Sequence, residues 1–144
     1  MAQTGLEVFD TTVHTTNKWL NTVVEELGWG DRQLAYHALR ATLQTVRDRL
    51  TVEVAANLGA QLPLLVRGVY YEGWEPARVP IKMRSAEEFL SLVEERYQHR
   101  QPVDIAQVTR AALRTLNKFV TDDQIEKVRD MLGAELRSLW PEPT

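Results

Sequence analysis

The sequence predicts an all-α protein, a helical bundle of about eight helices arranged as two tandem, pseudo-twofold four-helix repeats. Three observations lead to this prediction. Apolar residues recur at spacings of three and four along nearly the whole chain, as they do in amphipathic helices. The same order of apolar and capping residues returns after seventy residues without a gap. A chain of 144 residues is also long enough to bury one sizeable core.

The first predicted helix begins near Leu6 and ends near Gly28. Its polar residues, among them His14 and Lys18, lie opposite an apolar arc, so we expect that arc to face the core. The arc consists of Phe9, Val13, Leu20, Val23, Val24 and Leu27.

The second predicted helix starts after Asp31, whose carboxylate can accept a hydrogen bond from a first-turn N–H. Its apolar face is expected to point inward. The opposite face, with Arg40, Gln44 and Arg47, is expected to point to solvent. Thr51 is predicted to end this helix and to cap the third one.

The fourth predicted helix begins at Pro63 and runs to about Tyr71. Proline suits a first helical position because its missing N–H would have no partner there. Gly73 is predicted to end it in the left-handed conformation. Residues 72–84 hold a glycine and two prolines and show no helical face, so they are predicted to form a linker.

The second half repeats the helical pattern. Ser85 with Glu88, and Thr121 with Gln124, have the spacing of capping boxes and predict two helix starts. Pro102 is predicted to start the helix between them.

The seventy-residue offset sets Trp19 against Phe89 and Thr51 against Thr121. A fixed period with no gap favours a duplicated unit over chance agreement between amphipathic helices. We predict repeat one in residues 1–71, the linker in 72–84 and repeat two in 85–144, packed as one compact unit.

Composition excludes several classes of chemistry. The chain has no cysteine, so it has no disulfide framework and no thiolate nucleophile. It also lacks a Gly-rich phosphate loop, a G-x-S-x-G elbow, an H-E-x-x-H pair and the paired E-x-x-H of di-iron bundles. We predict no catalytic residues, no metal and no cofactor, and the sequence leans against an enzyme.

The formal net charge of -3 argues against a general polyanion binder, so nucleic-acid binding is disfavoured. The segment Met1 to Gly5 lacks the basic and apolar regions of a secretory leader. No stretch approaches the roughly 18 apolar residues that span a bilayer. We expect a soluble cytoplasmic protein that does not enter a membrane.

Two groups of residues are candidate binding sites. Arg110, Arg114 and Lys118 lie four residues apart, and three cations on one helix face can attract an anion. Arg40 and Arg47 are expected at the corresponding surface of the first repeat. A solvated helix face is the alternative interpretation of this basic arc.

The second group spans the end of the fourth helix and the start of the linker and is predicted to bind a protein partner. It consists of Arg67, Tyr71, Trp74 and Arg78. Tyrosine and tryptophan are enriched at interfaces because one edge of each ring tolerates water. For Tyr71 and Trp74 the alternative is structural cover of the cleft between the repeats, whereas Tyr70 is assigned to the core.

Several runs of residues resemble the bacterial DUF2267 family, a domain of unknown function. Residues 58–63 read LGAQLP and residues 70–74 read YYEGW, and both runs are specific; residues 28–32 (GWGDR) and 35–40 (AYHALR) add to them. The resemblance extends over almost the whole chain. It implies a small, soluble, all-helical bacterial protein and no established reaction.

These observations favour a non-catalytic protein–protein interaction or assembly module, with self-association into a dimer as the first expectation. The alternative is a binder of, or an enzyme acting on, a small anionic molecule held between the two repeats.

Overall fold

A computed structural model describes residues 4–142 and shows an all-α fold, with no strand in that part of the chain. The first three residues, which include most of the segment considered above as a leader, and the last two lie outside the described residues. The helices are α1 (Glu7–Leu27), α2 (Arg32–Asp48), α3 (Val52–Gly59), α4 (Leu64–Tyr71), α5 (Ala86–Arg96), α6 (Ile105–Phe119), α7 (Asp122–Leu132) and α8 (Ala134–Arg137).

Helices α2 and α6 pack against each other at the centre of the bundle. α1 packs on both of them, and so does α5. α3 contacts α7, and α4 covers α1 and α2. The buried apolar side chains form one cluster that includes residues from both predicted repeats. No helix in residues 4–142 is long and apolar enough to cross a membrane.

Most of the predicted helix ends are confirmed. The side chains of Asp31, Thr51, Ser85 and Thr121 each accept a hydrogen bond from the backbone N–H three residues later. Gly28 and Gly73 have φ angles of 87° and 75°, the left-handed conformation that ends a helix at low cost for glycine.

The start predicted at Pro102 is wrong. α6 begins at Ile105, and the carboxylate of Asp104 accepts a hydrogen bond from Gln107 N–H at 3.3 Å. An aspartate cap satisfies a first-turn donor, whereas proline only removes one, so the cap sets the start.

The prediction that Tyr70 lies in the core is confirmed, and three other large aromatic residues are buried with it. Trp19, Tyr70, Phe89 and Trp140 are all buried. Trp19 stacks on Phe119 with the ring centroids 5.0 Å apart, which joins α1 to α6.

The predicted solvent face of α2 is wrong. Gln44 and Arg47 are buried, because α1, α4, α5 and α6 surround α2 and leave it little exposed surface. Gln44 donates to the Val69 carbonyl at 2.9 Å, and Arg47 donates to the carbonyls of Tyr70 and Glu72 at 2.7 and 2.8 Å. These carbonyls lie at the end of α4, where the last carbonyls of a helix lack the usual donor four residues later, so side chains of α2 cap it.

Candidate interaction surface

A stripe of apolar positions along α1 changes from exposed to buried along the helix. We define the α1 stripe as Phe9, Val13, Thr16, Leu20, Val23 and Leu27. Their alternating spacings of four and three are those of a coiled-coil seam. Val23 and Leu27 are buried in the bundle, whereas Phe9 is 48% and Val13 is 38% exposed.

The expectation that Phe9 and Val13 face the core is therefore wrong. α4 contacts this half of α1 at Thr12, which lies off the stripe, so the arc that packs inward at Val23 faces solvent here. Helical periodicity identifies an apolar arc but does not say which helix covers it.

An apolar groove continues the exposed half of the stripe. Thr16 and Leu20 of α1, Tyr36 and Leu39 of α2, and Leu65 and Val69 of α4 line it, and its volume is about 250 Å³. Its rim is exposed, at 39% for Tyr36 and 47% for Leu65. The groove is large enough to admit one or two apolar side chains from another molecule.

Local interactions hold α4 at the edge of the groove. Pro63 precedes the helix, and the Thr12 hydroxyl accepts a hydrogen bond from the Leu65 N–H at 3.2 Å. That N–H belongs to the first turn of α4 and has no acceptor within the helix. Satisfying it from α1 sets Leu65 beside the stripe.

Polar residues flank the stripe on the side of α2. Arg32, at the start of α2, donates a hydrogen bond to the side-chain carbonyl of Asn17 on α1. Two turns earlier on the same flank, the Asp10 carboxylate accepts hydrogen bonds from the hydroxyl and backbone N–H of Thr4. The flank thus carries a negative group near one end and a positive group near the middle.

Arg67 and Tyr71 both make contacts within the fold. Arg67 donates to the carbonyls of Gly59 and Leu62 at 3.0 and 2.8 Å, at the C-terminal end of α3. The Tyr71 ring lies over Gly59, where an added Cβ would come within 2.7 Å of the ring carbon Cζ.

Trp74 and Arg78 complete the predicted partner site. Trp74 packs against Tyr71 with ring centroids 5.3 Å apart and against the core, and its indole N–H is buried without an acceptor in the described chain. Arg78 is exposed and lies 3.4 Å from Glu75. These contacts favour structural cover for the two rings; a partner at this site stays a prediction.

The basic arc lies on the outer face of α6, where Arg110, Arg114 and Lys118 are all exposed. Arg114 lies 3.9 Å from the Glu26 carboxylate of α1, which reduces the positive field of the arc. Arg47 does not extend this surface, since it is buried. Anion binding by the arc stays a prediction.

A second aromatic cluster joins α2 to the segment after α5. His37 contacts Tyr97 and His99, with ring centroids 6.4 and 5.3 Å away. Burial lowers the pKa of His37, and the nearby charges of His99 and Arg40 lower it further. The surroundings therefore favour the neutral imidazole of His37. The periodicity of the sequence does not predict the contact between His37 and His99.

Other features bear on the chemistry of the surface. Within residues 4–142 no group of three or more histidine, aspartate or glutamate side chains is arranged to hold a metal ion. Two further depressions, each above 600 Å³, border α1: one at the turn into α2 and one beside Pro63 and Leu64. Both, like the groove, are lined by residues from the first half of the chain and do not lie between the two predicted repeats.

Comparison with known families places the chain in one of them. The model of a family described as "Uncharacterized conserved protein (DUF2267)" matches residues 16–139. The chain belongs to this family. The family has no assigned function, and the exposed part of the α1 stripe precedes the matched residues. No curated protein matches the chain.

Proposed function

We propose that this member of the DUF2267 family is a non-catalytic interaction module that binds an amphipathic helix through the α1 stripe and the apolar groove. The observation that carries the proposal is the exposure of Tyr36 and Leu65 at the groove and of Phe9 and Val13 on the part of the α1 stripe that precedes it. A cluster of large apolar side chains at a concave surface is typical of helix-in-groove recognition.

The spacing along the α1 stripe gives a physical reason for a helix to bind there. At Val23 and Leu27 the coiled-coil spacing is satisfied by the chain's own helices. At Phe9 and Val13 the same spacing continues with no covering helix in residues 4–142. Burying apolar surface stabilises a contact by roughly 25 cal/mol per Å², so the binding of a helix along the exposed half is stabilised in the same way.

We also propose that the bundle consists of two related four-helix repeats. Residues at the seventy-residue offset have like surroundings: Thr45 and Thr115 are both buried and donate to Ala41 and Ala111 carbonyls at 2.8 and 2.9 Å. α1 packs on α2 and α6, and α5 packs on α6 and α2, as a pseudo-twofold axis requires. Under this proposal α1 differs from α5 by its extra N-terminal turns, which carry the exposed stripe.

Affinity capture from the native host's lysate tests the proposed function. We expect the wild type to retain a protein that a folded Leu65→Asp variant loses. The matched control is Val52→Asp, which adds the same charge at an exposed valine on α3, 44% accessible and away from the groove. Equal capture by all three proteins would contradict the proposed surface.

A further inference from the structure

We infer that the helix bound at this surface is α1 of a second copy of the chain, so that the protein forms a twofold dimer through the α1 stripe. This inference rests on the proposed function and names its partner. The first argument is that stripe and groove lie on one face of the same chain. A twofold axis beside them places each stripe in the other copy's groove, as an isologous interface requires.

The spacing along α1 fixes the register. If two α1 helices run antiparallel about an axis at Val13, Phe9 of one copy lies opposite Asn17 of the other, because each is four residues from the axis, about 6 Å along a helix. That position is between Thr16 and Leu20, which line the groove. Phe9 therefore enters the groove of about 250 Å³, and Leu6, itself 48% exposed, lies beside Leu20.

The flanking charges are complementary in this register. Asp10 of one copy comes opposite Thr16 of the other, next to Asn17, to which Arg32 already donates within each chain. The carboxylate thus approaches an amide and a guanidinium, and twofold symmetry creates this contact twice. A parallel arrangement would set Asp10 against Asp10 instead, so the charges favour the antiparallel one.

The available apolar area matches a dimer of ordinary size. From their exposed fractions, Leu6, Phe9, Val13, Tyr36 and Leu65 present roughly 400 Å² of surface per copy. A standard interface buries about 800 Å² per partner, of which somewhat more than half is apolar. The five residues therefore supply most of the apolar part.

Analytical ultracentrifugation of the full chain tests the dimer. At tens of micromolar we expect the wild type to sediment at twice 16.5 kDa. Phe9→Glu should weaken the dimer tenfold or more and sediment at the single-chain mass, with unchanged helical circular dichroism, since Phe9 lies outside the core. Val8→Glu is the matched control: Val8 is 56% exposed, adjacent in sequence and outside the stripe, so its dimer should persist.

A cross-link tests the register without relying on a destabilising change. Because the chain has no cysteine, Val13→Cys introduces a single thiol, and the inferred axis brings the two thiols together. Under a mild oxidant we expect a covalent dimer with Val13→Cys and only single chains with Val8→Cys. Equal cross-linking of both variants would overturn the register.

The outcomes separate the inference from the proposed function. A wild-type chain that stays at the single-chain mass up to near-millimolar concentration overturns the dimer. If Leu65→Asp still loses a captured protein in that case, the proposed function stands with a different partner. If it loses none, both fail.

Discussion

At the scale of single residues, buried charge in this protein is used to complete the fold. Arg47 lies 2.7 Å from Asp48, and the other carboxylate oxygen of Asp48 accepts from Arg96 at 2.6 Å. Arg47 also donates to two carbonyls at the end of α4. The group therefore fastens α4 and α5 to the central helix α2.

Removing the Arg47 guanidinium should be costly. Arg47→Met keeps the apolar stem but leaves the carbonyls of Tyr70 and Glu72 without this donor, and it leaves the Asp48 carboxylate with only Arg96 as a cationic partner. We expect the free energy of unfolding to fall by about 3 kcal/mol in urea denaturation. Arg114→Met, at a surface ion pair, should change it by less than about 1 kcal/mol. Equal losses would show that Arg47 does not carry this role.

The His37 cluster makes stability depend on pH. The pKa of His37 in the folded protein is lowered below the ordinary value of 6.5, by burial first and then by His99 and Arg40. As the pH falls through 6.5, the unfolded chain binds a proton at His37 before the folded chain does, so the free energy of unfolding decreases. Above that pH the imidazole is neutral in both states, and this loss of stability is absent.

We therefore expect His37→Gln to reduce the loss of stability between roughly pH 7.5 and 5.5, measured by urea unfolding at both values. His14→Gln, at an exposed position on α1, is the control and should lose stability as the wild type does. A His37→Gln protein with an unchanged pH dependence would contradict the assignment.

At the scale of elements, α3 and α4 meet where a small residue faces a ring. Gly59 has no side chain, and the Tyr71 ring occupies the space a Cβ would need. Tyr71 also contacts Tyr70 and Trp74, with ring centroids 5.0 and 5.3 Å away, so it has little room to move.

A double-mutant cycle measures this contact. We expect Gly59→Ala to destabilise the protein in the presence of Tyr71. In a Tyr71→Ala background the same change should be neutral or stabilising by up to about 1 kcal/mol, because alanine favours a helix over glycine. Thermal unfolding of the four proteins gives the coupling; additive effects would show that Tyr71 does not cover Gly59.

The helices themselves were predictable from the sequence, because their signals are local. Asp31, Ser85 and Thr121 cap helices through their own first turns, and the apolar spacing needs only the neighbouring residues. Which face of each helix is buried by neighbouring helices was not predictable. Arg47 looks solvent-facing until α4 and α5 are placed around α2. Phe9 looks buried, but the structure leaves its arc of α1 exposed.

The candidate surface shows the same division. The spacing identifies the apolar arc with Phe9, Val13 and Leu20, but its exposure depends on how the other helices pack around α1. The predicted partner site drew on the composition of the YYEGW run. In the structure Tyr71 packs on Gly59 and Trp74 packs against the core, which accounts for much of that composition. Arg78 is the most exposed residue of the predicted partner site.

At the scale of the whole molecule, the bundle encloses one core and leaves part of the α1 stripe exposed. The second half of α1 completes the chain's own core, and in the inferred dimer the first half packs against another copy. Dimer formation then stabilises the folded chain by mass action, so the unfolding temperature of the wild type should rise with protein concentration. That of Phe9→Glu should not.

An amide NMR dilution series from tens of micromolar to near-millimolar tests this account most directly, because it reports all the candidate surfaces at once. We expect concentration-dependent shifts at residues 7–20, at Tyr36 and at 65–69, and none at the basic arc of α6. Spectra that do not change with concentration, or shifts confined to Trp74 and Arg78 or to Arg110, Arg114 and Lys118, would contradict it.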